Sequence, residues 1–94
     1  MIDKILKVCR EVKPRSKYDV YLSLSEEVGE LATELAVMSG YSNKPEGKDG
    51  VIGESVDIII CAVDMIYKAN SHLSSKEIEN LIKRKLKKWR ENKS

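Results

Sequence analysis

The sequence predicts an all-α protein built from four helices. Three observations predict it. Apolar residues recur at helical spacing through most of the chain. Aromatic residues make up only 5%, with no Phe at all, which disfavours strand-rich folds. Glycine and proline are sparse, unlike the turn-rich composition of a β-sandwich or barrel. At 94 residues the chain reads as one domain spanning 1–94. A chain of this size buries only roughly two-thirds of the surface its unfolded form exposes. The core is therefore modest, and the four-helix protomer is expected to complete its bundle by oligomerisation.

The first helix is expected over about Ile2 to Val12, with Ile2, Ile5, Leu6 and Cys9 on one stripe. Pro14 ends it, because proline disfavours helical geometry in the residue before it. The second helix runs from about Tyr18 to Ser39. Leu24, Val28, Leu31, Leu35 and Met38 step by four, three, four and three along it, and Gly40 suits a left-handed cap. Gly29 inside this helix costs about 1 kcal/mol relative to Ala, and marks either a close approach or a tolerated imperfection.

Residues 41–50 are rich in turn formers and form a loop that carries Lys44 and Lys48. The third helix, from about Val51 to Ala69, is apolar on nearly every side and is expected to be the central, most buried one. After a connection over residues 70–73, Ser74 and Glu77 have the spacing of a capping box. The last helix then shows Leu73, Ile78, Leu81, Ile82, Leu86 and Trp89 as its apolar side and fades into a polar tail.

A net charge of +2 is too small to argue for nucleic acid as a partner. Cys9 and Cys61 lie far apart with no Cys/His spacing, so zinc is not expected; Cys61 sits in an apolar run, where a reduced thiol is the usual state. The longest apolar run is too short to span a bilayer. The chain opens straight into an amphipathic pattern with no secretory leader, and the cytoplasm is the expected compartment.

The chemistry-bearing residues are acidic. The second helix carries Glu26, Glu27, Glu30 and Glu34, and the third carries Glu54, Asp57 and Asp64. Glu27 and Glu30 lie about 60° apart around the helix axis, with Glu27 at the margin of the apolar stripe. Glu54 and Asp57 share a face with Ile58, Cys61 and Met65. Two like charges on so apolar a helix repel each other and lose hydration. Basic partners, raised pKa values or a bound cation would offset that, and few basic residues stand on the neighbouring stripes. A divalent ion fits better: magnesium takes oxygen ligands from carboxylates and fills its remaining positions with water and substrate phosphate.

The order Glu27-x-x-Glu30, a long gap, then Glu54-x-x-Asp57 resembles the E-x-x-E…E-x-x-D signature of the MazG-like, all-α nucleoside triphosphate pyrophosphohydrolases. Ser25-Glu26-Glu27-Val28-Gly29-Glu30-Leu31 looks like that family's first motif, and Gly53-Glu54-Ser55-Val56-Asp57-Ile58 like its second. The resemblance covers about Tyr18 to Ala69. It implies attack of water on the α-phosphorus of a nucleoside triphosphate, releasing monophosphate and pyrophosphate. It further implies magnesium, with manganese able to substitute, held by Glu27, Glu30, Glu54 and Asp57, and a homodimer or homotetramer. Glu26 becomes a candidate water-activating base, and Lys85 with Trp89, one turn apart, candidate contacts to phosphate and base. For Trp89 a place in the core or a dimer interface stands as the other role.

Asp64 is expected either to extend the acidic pocket or to pair with a basic residue of the last helix. His72 is expected to be solvated or capping. Two other readings remain: a non-enzymatic binding module using the Lys- and Arg-rich last helix, and an assembly partner that dimerises through its apolar stripes. The first leaves the acidic pairs unexplained. Neither membrane nor nucleic acid is expected as a partner.

Overall fold

The computed structural model describes residues 1–45, 47 and 50–93, without the side chain of Lys93. It is all-α: α1 spans Ile2–Glu11, α2 Lys17–Met38, α3 Gly50–Ala69 and α4 Ser75–Lys93, with no strand among the described residues. Among the described residues no helix is long and apolar enough to cross a membrane.

Local chemistry sets each boundary. Past α1, Val12 is already extended ahead of Pro14. The Ser16 side chain caps the start of α2, accepting the Asp19 backbone N–H at 3.1 Å. At its other end Gly40 takes a left-handed φ of 79°. Tyr41 N–H then reaches the Ala36 carbonyl at 2.8 Å and Gly40 N–H that of Val37 at 3.1 Å, the paired bonds of a Schellman motif. The capping box before α4 forms as the sequence predicts: Glu77 N–H donates to Ser74 Oγ at 3.1 Å, and Ser74 N–H to Glu77 Oε1 at 3.2 Å. His72 is exposed, and its backbone N–H is capped by Asn70 Oδ1 at 3.0 Å.

The helices pair as α2 on α3, α1 on α3 and α4 on α1. Leu6 and Ile78 are almost wholly buried in a cluster with Ile2 and Val63, against which Ile5, Ile66, Tyr67 and Leu73 pack. Burying one such aliphatic side chain contributes about 1.5–3 kcal/mol, so this knot of α1, α3 and the start of α4 anchors the fold. Cys9 is buried beside it and Cys61 half-buried; both are free thiols. Burial pushes the Cys9 thiol up, and the nearby Asp64 carboxylate adds to that.

Two expectations change on contact with the structure. The third helix is central, because α1 and α2 both pack on it, yet Ile52, Val56, Ile59 and Ile60 remain exposed. The α2 stripe is also half-bare: Val28, Leu35 and Met38 are exposed, while Val20, Glu27, Leu31 and Glu34 face inward. The contact face of α2 is thus turned toward its own carboxylates. The molecule is a slab with extents of 45 × 42 × 21 Å, two helices deep.

Candidate metal centre

Three of the four predicted ligands come together at the α2–α3 contact. Glu27, Glu30 and Glu54 each offer a carboxylate oxygen, and the three oxygens lie within 4.8 Å of one another. Antiparallel packing of α2 on α3 places the inward-turned Glu27 against Glu54, with Glu30 one turn further along the solvent edge. Glu27 Oε2 and Glu54 Oε2 are buried and have no hydrogen-bond partner among the described residues. A buried acceptor left unpaired costs about 1–3 kcal/mol, more when it is charged. The Glu54 carboxyl is pushed up to about 7, first because Glu27 is close enough to share a proton with it, then by lost hydration, then by the negative charge of Glu30.

Asp57 does not join the three. It lies about 60° around the helix from Glu54 and is exposed. Glu26 is also exposed, on the outer side of α2 next to Glu27. Lys44 in the loop is exposed, and Lys48 lies outside the described residues. Lys85 and Trp89 are exposed on the outer part of α4. Because α4 packs on α1 and runs beside neither α2 nor α3, one chain alone does not bring them to the carboxylates.

Two buried acids have roles the sequence did not disclose. Asp64 neither extends the acidic pocket nor pairs with α4. Its Oδ2 accepts from Arg15 in the α1–α2 connection at 2.9 Å, and Lys68, one turn along α3, stands 3.9 Å from Oδ1. Arg15 also donates to Ser23 Oγ at 2.8 Å, so it ties the connection to both long helices. Glu34 is buried at 9% exposure and holds the loop, with both carboxylate oxygens accepting the Gly47 backbone N–H. Neither role carries a sequence signal, since each partner is distant along the chain. Between α1 and α3 an apolar groove of roughly 390 Å³ is lined by Ile5, Val8, Val12 and Ile60, with Arg15 and Asp64 at its polar end.

Compared with protein-family models, curated proteins and solved structures, the chain matches none.

Proposed function

We propose that the chain is a magnesium-dependent nucleoside triphosphate pyrophosphohydrolase of MazG-like type, releasing nucleoside monophosphate and pyrophosphate in nucleotide-pool house-cleaning. The observation that carries this reading is the convergence of Glu27, Glu30 and Glu54 around two buried, unpartnered carboxylate oxygens. Among the described residues no basic side chain is paired with the group, and hard oxygen donors without a partner there suit a hard divalent cation.

In this reading Glu27, Glu30 and Glu54 would hold magnesium, or manganese in its place, with Asp57 as the fourth carboxylate from the open edge. When bound, the ion would offset phosphate charge and acidify a water. Glu26 takes the proton from the attacking water, and Lys85 and Trp89 bind phosphate and base. The E-x-x-E and E-x-x-D order supports the choice of reaction. The chain acts in the cytoplasm as a homodimer or homotetramer.

The test is incubation with a panel of ribo- and deoxyribonucleoside triphosphates and magnesium. Matched release of monophosphate and pyrophosphate is expected from at least one of them. No turnover of any nucleotide, or orthophosphate alone, would sink the reading. Glu54→Gln and Asp57→Asn should each abolish turnover while the helical circular dichroism is kept.

A second reading, a non-enzymatic binding module, has one observation in its favour: the basic side chains from Lys83 to Arg90 are all exposed. A salt-dependent gel shift with nucleic acid at physiological salt would support it.

A further inference from the structure

Every residue from Glu79 to Asn92 is exposed, although Leu81, Ile82, Leu86 and Trp89 form an apolar stripe at helical spacing. Leu86 is 51% exposed and Trp89 61%. A second bare stripe runs along the first half of α3, where Ile52 is 79% exposed, Val56 46% and Ile59 48%.

The uncovered area is large for so small a chain. The accessible surface is 7489 Å². A compact monomer of 10.7 kDa exposes about 5,500 Å². The radius of gyration is 15.6 Å against about 12 Å for a compact domain of this length. An excess of roughly 2,000 Å² is what one partner contributes to an obligate dimer.

Charge selects how the stripes pair. Six of the eight residues from Lys83 to Arg90 are Lys or Arg. From Gly50 to Tyr67 α3 carries Glu54, Asp57 and Asp64 and no base, and α2 from Tyr18 to Met38 likewise carries only acids. Pairing α4 with α4 sets cations against cations, and pairing α3 with α3 sets acids against acids. Only α4 on an acidic helix joins opposite charges, and like-charge juxtaposition across an interface is costly. Of the two acidic helices, α3 bears the barest aliphatic side chain, Ile52 at 79% against 63% for Met38 of α2. A nucleic acid or an anionic membrane would cover α4 but be repelled from the acidic helices, leaving the α3 stripe in water. A second copy covers both.

We infer that the outer half of α4 in one copy lies along the Ile52, Val56 and Ile59 stripe of α3 in a second copy, and reciprocally about a two-fold axis. This rests on the second-copy part of the proposed function and not on the hydrolysis. It also brings Lys85 and Trp89 of one copy to the helix that bears Glu54 and Asp57 of the other, which one chain alone does not do.

The test is mass by light scattering at tens of micromolar chain, with acrylamide quenching of Trp89, the chain's single tryptophan. The wild type is expected to be dimeric, or a multiple of the dimer, with Trp89 shielded. Leu86→Asp and Val56→Asp should each give a helical monomer with Trp89 open to quencher. Both positions are already half-exposed, so these changes probe docking and not the fold. Mixing the two monomers should restore a dimer, because one intact α4–α3 contact remains between them. A monomeric wild type overturns the inference together with the second-copy expectation. A dimer that survives either substitution, or in which Trp89 quenches as freely as in Leu86→Asp, overturns the inference alone. Nucleotide turnover is read separately and bears on neither outcome.

Discussion

Glu34 and Gly47, thirteen residues apart, are joined by a fork in which both carboxylate oxygens of Glu34 accept one backbone N–H, at 2.9 and 3.1 Å. A Cβ on Gly47 would collide with Glu34 Oε1, so a side chain there opens the fork. Glu34→Ala should destabilise by about 1.5 kcal/mol, the low end for a charged hydrogen bond because Gly47 is exposed and water replaces the acceptor. Denaturant unfolding measures this, and amide exchange at Gly47 should speed up. An unchanged midpoint with unchanged exchange would show that the fork holds nothing.

Arg15 and Asp64 give a larger expected effect. Asp64 is 7% exposed, and without Arg15 its nearest cation is Lys68 at 3.9 Å. Arg15→Gln should cost about 2 kcal/mol, less than a fully buried pair because the arginine is partly open to solvent. Asp64→Asn in the same background should recover part of the loss. If the double variant is as unstable as the sum of the two single ones, the pair is not coupled.

The carboxylate group makes stability depend on pH in a particular direction. Glu54 titrates near 7 in the folded chain against 4.5 ordinarily, so the folded state holds the proton more tightly than the unfolded one. Its contribution to stability therefore falls as pH rises from about 4.5 to about 7 and is lost above that window. Glu54→Gln should flatten the slope and raise Tm at alkaline pH. In the proposed reading magnesium should raise Tm above pH 7 and act little near pH 5, where protons compete for the same oxygens. A magnesium shift that persists in the Glu54→Gln variant would place the ion elsewhere.

Gly29 has nothing within 4 Å of where a Cβ would stand. Within one chain it is therefore an imperfection in the helix and not a close approach between segments. Gly29→Ala should stabilise by about 1 kcal/mol, read from thermal or urea unfolding. A loss of stability would mean that an atom of a second chain fills that space.

What the sequence disclosed is local. Helix ends follow from Pro14, Gly40 and the Ser74–Glu77 box, whose physics acts within a few residues. The α1 stripe is read correctly because Ile2, Leu6 and Cys9 meet a core that one chain supplies. Glu27, Glu30 and Glu54 were legible because acids on apolar helices need a reason. The orientation of α2 was not, because its inward face is set by packing on α3 and includes two glutamates that periodicity counts as polar. The partners of Asp64 and Glu34 were hidden for a similar reason: Arg15 is 49 residues from Asp64, and Gly47 lies in a loop without regular spacing. The α3 apolar run promised a buried helix, and a slab two helices deep leaves its outer side bare.

That bareness also bears on survival of the chain. Beyond Ile78, α4 is a single exposed helix of about the length at which helices are marginal in water without tertiary support. It frays most readily in a copy that has found no mate, and its run of lysines and arginines is what trypsin-like proteases cut. Clipping there would remove unassembled chains first and spare paired ones, so the segment inferred to join two copies would also set the lifetime of one left alone.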